Sequence, residues 1–337
     1  MNTDRNAKWL VLMKLEELNM SLKETFKKQG GMKLIRQYYK SGALRTAICE
    51  FVLLGKSRTA LEILRLAAEL KTKQHLLKKY KAALNSFQYD ESCEHKSSNK
   101  IWFCWLQGIE NAPEIVKTCY NSLKINLPNK EIIVLTSSNL SKYVTFPNYI
   151  KQKWRQGIIS NAHLADLLRL ELLTKFGGTW IDATVLCTEQ EDKIPEYFFN
   201  SELFVYQCLK PGRDGHSTYM SNWYISAKSH NKILEATKYL CYEYWKRNNE
   251  VIDYFIFHDF MSIVLDTYKD EWRKIIPRDN ATPHELLLRM FDKYNDEMWQ
   301  AIVSQTPFHK LSYKFSKIDL TLHETYYQYI IKHFSNF

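Results

Sequence analysis

The stretch Ser160–Cys187, SNAHLADLLRLELLTKFGGTWIDATVLC, decides how the chain is read. Leu164, Leu167, Leu168, Leu170, Leu172 and Leu173 point nearly all round a helix, so the helix is expected to be buried on most sides. Asp166 and Arg169, three apart, share its one polar face, with His163 at the flank. Charges on an otherwise buried helix need a partner, either each other or a ligand. Gly177 fits a left-handed helix cap, and Gly178 frees the turn into a strand. In a strand over Thr179–Cys187, side chains alternate, which places Asp182 and Thr184 on one face. A carboxylate beside a hydroxyl after a tight turn suits a hard divalent cation that keeps waters and bridges a diphosphate. A strand-end carboxylate bonded to local backbone fits the same periodicity.

Upstream, Ile101–Leu106 is an apolar run of strand length that ends at Gln107-Gly108. A helix fits Ala112–Leu123, opened by Pro113, and a second strand fits Glu131–Leu135. Strand, helix and strand with short connectors predict a βαβ unit and a largely parallel sheet. Ligands of such sheets sit at the carboxyl ends of the strands, where Gln107 lies. Further strands are expected at Glu202–Gln207 and Asn222–Ala227, and helices at Lys232–Lys246, Tyr254–Asp266 and His284–Tyr294. No G-x-G-x-x-G or P-loop pattern is present, so those nucleotide fingerprints have no support.

The 337 residues carry a net charge of +10, all of it in the first third. Residues 1–100 hold 20 basic against 10 acidic side chains, whereas the rest balances at 27 against 27. Residues 31–85 hold 12 basic and three acidic residues in a helical pattern broken at Ser41-Gly42 and Gly55. Three readings fit this region: a solvated helix face, attraction to anionic lipid headgroups, and nucleic-acid binding. No zinc-finger, RNP-type or basic-zipper pattern accompanies the charge, and no nucleic-acid partner is expected. The polar segment Asn85–Asn99 reads as a linker, dividing a basic helical region (1–95) from an α/β domain (96–337). Trp9–Met13 is too short and too closely flanked by Glu16 and Glu17 for a secretory signal, so a cytoplasmic protein is expected. Seven scattered cysteines without a C-x-x-C pair predict reduced thiols, mostly in the core.

Asp166-x-x-Arg169, Leu172-Leu173, Gly177-Gly178 and Trp180-Ile181-Asp182-Ala183-Thr184 together resemble the bacterial capsular polysaccharide synthesis glycosyltransferases. These are related to the D-x-x-R/Gly-Gly/D-x-D sugar-transferases, including the clostridial toxin glucosyltransferases. Ile101–Gly108, Ala112-Pro113 and Asn126–Asn129 resemble the family's first strand and helix, with weaker likeness at Gly42–Leu84, Tyr254–Met261 and Thr306–Lys314. The resemblance implies a GT-A-like, Rossmann-like α/β fold with a mostly parallel sheet that binds a nucleotide sugar. It places Asp166 and Arg169 at the donor's sugar and phosphates, Asp182 at the ribose or a metal, and Trp105 and Gln107 at the base. His309, Lys310 and Lys314 resemble a late segment that clamps metal and diphosphate, and Asp259, beside His258, would meet the acceptor. Relatives with D-x-D carry a second carboxylate where this chain has Thr184. Either a Mn²⁺ or Mg²⁺ ion is completed from elsewhere, with His309 the candidate, or Arg and Lys clamp the diphosphate.

The implied function is retaining transfer of a hexose from a UDP-sugar to a lipid-linked or soluble glycan in capsule or exopolysaccharide assembly. The protein would then be peripheral on the inner face of the plasma membrane, held there by residues 31–85. Two rivals are a degenerate transferase fold acting as an assembly partner, and a basic nucleic-acid-binding module joined to an unrelated α/β domain.

Overall fold

The structure, a computed structural model, describes residues 31–209 and 218–334; the Trp9–Met13 run lies outside them. Helices α1 (Gly31–Lys40), α2 (Leu44–Leu54) and α3 (Arg58–Ser86) come first. They are separated where the glycines predicted, and Ser57 caps α3 by accepting from the Ala60 amide. Then follow β1 (Lys100–Cys104), α4 (Glu114–Asn126), β2 (Glu131–Leu135), α5 (Asn148–Arg155), α6 (Asn161–Phe176), β3 (Gly178–Ile181) and β4 (Val185–Cys187). The remainder comprises β5 (Leu203–Gln207), β6 (Met220–Ala227), α7 (Lys232–Arg247), α8 (Ile256–Thr267), α9 (Asp296–Val303), β7 (Phe308–Lys310) and α10 (Tyr326–Phe334).

The α/β expectation holds. The main sheet runs β2-β1-β3-β6-β5. Strands β2, β1 and β3 are parallel, and antiparallel β6 and β5 extend them. One face, with Trp102, Trp180 and Ile225, packs under α6, α7 and α8. The other, with Ile101, Phe103, Ile181 and Tyr224, packs under α4, α9 and α10. Both faces of β1 are covered, which is why its sequence is continuously apolar rather than alternating. Helix α3 contributes Leu76, Tyr80, Ala83 and Leu84 to the first of these cores, so the basic helical region packs directly on the α/β core. The seven cysteines are free, but only Cys119, Cys187 and Cys241 are buried, fewer than expected.

Two elements depart from their sequence expectation. The strand foreseen over Thr179–Cys187 is broken at Asp182: its amide donates to Trp223 O (2.9 Å), and the Val185 amide donates back to Asp182 O (3.0 Å). This turn sends β4 out of the main sheet to pair with β7. Asp is a poor strand former and a good turn former, and here it ends the ladder. The helix foreseen over His284–Tyr294 shrinks to Glu285–Leu288, because the Tyr294 amide donates to Glu324 O and the Tyr326 amide to Asp292 O. Tertiary pairing there replaces the helical bonds.

Gly177 and Gly178 both hold positive φ, +67° and +94°. A Cβ on Gly178 would lie 2.5 Å from the backbone oxygen of Lys100, on the neighbouring strand. Gly178→Ala is therefore expected to cost about 3 kcal/mol or more, from backbone strain and a clash that the sheet cannot relieve. A lowered urea midpoint at unchanged slope is the readout; a midpoint within error of wild type would contradict it.

Candidate functional site

Helix α6 begins at Ser160, whose hydroxyl accepts from the His163 amide, and it is buried nearly all round as its leucines predicted. Its polar face meets the carboxyl ends of β1 and β3. There a cleft of 530 Å³ opens, lined by Trp105, Gln107, Asp166, Arg169, Asp182 and Thr184 among others. Ligands of α/β sheets bind at such strand ends.

Arg169 is the centre of the site, and only 4% of it is exposed. Its Nη1 donates to Asn222 O (2.6 Å) and lies 3.5 Å from Asp166 Oδ1. Its Nη2 lies 3.5 Å from Asp182 Oδ1. The guanidinium covers the Trp180 ring at 4.8 Å, a contact that favours a planar cation. Asn222 Nδ2 donates to Asp166 Oδ1 (2.8 Å), and Trp180 Nε1 donates to Asp182 Oδ1 (2.9 Å). Burial pushes the Asp166 carboxyl up to about 7; Arg169 and the Asn222 bond oppose that rise, and Asp182 adds to it.

Lys310 arrives from β7. The β4–β7 ladder sets Val185 opposite Lys310, and Lys310 Nζ donates to Thr184 Oγ1 (2.6 Å), 3.8 Å from Asp182 Oδ2. Tyr313, beyond β7, also lines the cleft and meets Trp105 edge-on at 5.4 Å. Three buried polar atoms without a partner belong to residues of this cleft: Trp105 Nε1, Arg169 Nε and His258 Nδ1. Burial, with the Arg169 charge, pushes the His258 imidazole down to about 3, so it is neutral. Buried polar groups left unpaired are costly.

The structure thus gathers Trp105, Gln107, Asp166, Arg169, Asp182, Thr184 and Lys310. It does not bring the other candidates there. His309 points the opposite way from Lys310 along β7, is fully buried, and pairs through Nε2 with Thr188 Oγ1 (3.1 Å). Asp259 is fully buried on the inner side of α8, away from the cleft that His258 lines. Burial, then Asp253 and Glu69, push its carboxyl far up. Lys314 is exposed, with its ammonium 5.7 Å from the Tyr313 ring. His163 meets the capping Ser160 hydroxyl through Nδ1 (2.8 Å) and Tyr254 O through Nε2 (3.2 Å). Asn222, Trp180, Tyr254, Tyr313 and His258 also meet the site; all but Asn222 lie in segments that resemble the family's motifs, without a site role read for them. One usable signal was the polar pair Ser221-Asn222 ahead of the apolar Trp223-Tyr224-Ile225 run.

As for metal ligands, no group of three or more His, Cys, Asp or Glu side chains is placed to hold an ion among the described residues. Asp182 contributes one carboxylate, and both its oxygens already face donors or cations. This donor set is poor for a hard divalent ion.

The chain is 30% identical over 155 residues to the O-glycosyltransferase braB of Annulohypoxylon truncatum, a match covering 41% of this chain and 36% of that protein. It thus spans about a third of that relative's length. A solved structure, the PaToxG glycosyltransferase, aligns over 77% of this chain and 94% of its own, with 13% identity and a TM-score of 0.35. The family model for capsular polysaccharide synthesis proteins matches residues 57–330, from the start of α3 through the cleft to α10. The chain belongs to the capsular polysaccharide synthesis protein family, in agreement with the glycosyltransferase reading of its D-x-x-R and Gly-Gly motifs.

Proposed function

We propose that this chain is a glycosyltransferase that moves a hexose from a UDP-sugar to a growing, lipid-linked glycan in capsule or exopolysaccharide assembly, with retention at the anomeric carbon. The observation that carries this is the cleft floor. Arg169 and Lys310 flank Asp182 below aromatic walls of Trp105, Tyr254 and Tyr313.

In the reaction, the bond from the anomeric carbon to the diphosphate oxygen breaks and its electron pair leaves with the oxygen. The acceptor hydroxyl oxygen forms the new bond to the anomeric carbon, and its proton passes to the departing diphosphate oxygen. Charge therefore grows on the diphosphate, where two fixed cations stabilise it. Asp166, Asp182 and Asn222 hold Arg169 in place beforehand, so little reorganisation is needed. Trp105 and Gln107, at the end of β1, would lie against the base. The test is turnover of a panel of UDP- and GDP-hexoses, read as released nucleotide diphosphate, with the product anomer assigned by NMR. Absence of turnover and of nucleotide binding with every donor would end this reading.

Membrane association is supported by α2 and α3. Val52 and Leu53 are 75% and 77% exposed, beside Arg45, Lys56 and Arg58, a combination that suits an anionic interface. Among the described residues no helix is long and apolar enough to cross a membrane. The chain is expected to float with liposomes containing anionic lipid, and Val52→Asp with Leu53→Asp is expected to leave it in the pellet fraction. Equal flotation of both proteins would refute this role.

A further inference from the structure

The sequence leaves two readings at Asp182 and Thr184, a divalent cation completed from elsewhere or a clamp of Arg and Lys; the structure puts an ammonium there. Lys310 Nζ donates to Thr184 Oγ1 at 2.6 Å and to Leu311 O at 3.2 Å, and it lies 3.8 Å from Asp182 Oδ2. A strand ladder enforces the position. Val185 is paired with Lys310, and the Leu311 amide donates to Thr184 O at 2.8 Å. Thr184 and Lys310 are thereby bound to each other through both backbone and side chain. The other oxygen of Asp182, Oδ1, takes Trp180 Nε1 at 2.9 Å and faces Arg169 Nη2 at 3.5 Å.

Asp182 thus sits between two cations, one on each oxygen. Among the described residues no second ligand for a metal is in place, since His309 is turned into the core and Thr184 is already an acceptor for Lys310. An ammonium is a compact point charge with three donors. Two are used on Thr184 and Leu311, and the third is available to a phosphate oxygen in the cleft that Lys310 lines.

We propose that Lys310 takes the place of the divalent cation, and that Lys310 and Arg169, spaced by Asp182, form a metal-free clamp for the diphosphate of a nucleoside diphosphate. The proposal rests on the nucleotide-sugar reading above. It makes Thr184 functional as a hydroxyl: a carboxylate at this position would pair with Lys310 and withdraw it from the phosphate.

The test is calorimetric titration of the full chain with UDP and GDP in chelator, in Mg²⁺ and in Mn²⁺. It uses wild type, Lys310→Met and Lys310→Arg, with thermal melting of each to verify folding. Wild-type affinity is expected to agree within about threefold across the three conditions. Lys310→Met is expected to weaken diphosphate binding about thirtyfold or more, the loss of one charge-assisted bond, while UMP binding changes little. Lys310→Arg is expected to recover part of it. Nucleotide binding that requires Mn²⁺ or Mg²⁺ and survives Lys310→Met would overturn the clamp and leave the transferase reading standing. Should Lys310→Met fail to fold, the wild-type chelator series decides alone. Absence of UDP and GDP binding in all conditions would overturn the clamp together with the reading beneath it.

Discussion

Arg169→Leu is expected to lower turnover of a nucleotide sugar by about a thousandfold, the scale on which removing a fixed donor from a developing anion acts. The same change should cost about 3–5 kcal/mol of stability, because a buried ion pair that loses one partner strands the other. Three groups would be stranded at once. Asp166 and Asp182 lose their shared cation, and Asn222 O loses its 2.6 Å donor. Arg169→Lys separates the two effects. A lysine restores the charge but cannot reach the Asn222 carbonyl, face both carboxylates and cover the Trp180 ring together. It should regain most of the stability and only a small part of the turnover. Donor kcat/KM and urea midpoints of the three proteins provide the check; turnover within tenfold of wild type in Arg169→Leu would remove Arg169 from the chemistry.

The carboxyl contribution to stability is expected to fall as pH rises from about 5 to about 7.5, while histidines that burial keeps neutral, His258 and His309 among them, oppose it below about pH 6.5. Three buried carboxyls have folded-state pKa values above the ordinary carboxylate value of 3.8: Asp166 at about 7, Asp253 at about 6, and Asp259 far up. Burial is the largest cause in each. With the folded pKa raised, the unfolded chain releases the proton first and the folded chain retains it. Stability then declines from the unfolded pKa up to the folded one, by up to about 1.4 kcal/mol per pH unit for each group. For Asp166 the window runs from near 4 to near 7. Asp166→Asn should flatten its part of the slope. Asp259→Leu, which removes a buried carboxyl with no hydrogen-bond partner, should raise stability more at pH 7.5 than at pH 5, because the protonation that burial imposes on this group costs more as pH rises. Urea melts at three pH values decide the matter. A stability difference between wild type and Asp166→Asn that does not change with pH would show that Asp166 ionises as freely folded as unfolded.

Much of the fold can be read from neighbouring residues. The Glu131–Leu135 strand was expected at the limits it has, and the helix before Gly177 and the breaks at Gly42 and Gly55 fell where the glycines lie. Local periodicity and glycine conformation govern these features, so they are visible in short windows. The helix over His284–Tyr294 and the continuous strand through Asp182 were misread because pairing with distant segments outweighs local preference there.

What the sequence by itself determined is the helix with its D-x-x-R charges, the double glycine that turns the chain from that helix into the strand before Asp182, and the family these motifs signal. Periodicity suffices for them because a buried helix has few polar positions, and charges on it must face a site. Only the tertiary structure decided that Lys310 and not His309 meets Asp182, since one step of strand alternation in β7 separates cleft from core. It likewise decided that His258 rather than Asp259 faces the cleft, and that Asn222, 53 residues from Arg169, supplies its closest acceptor. Those choices depend on how distant strands and helices register against one another, and that register is set by packing of the whole core.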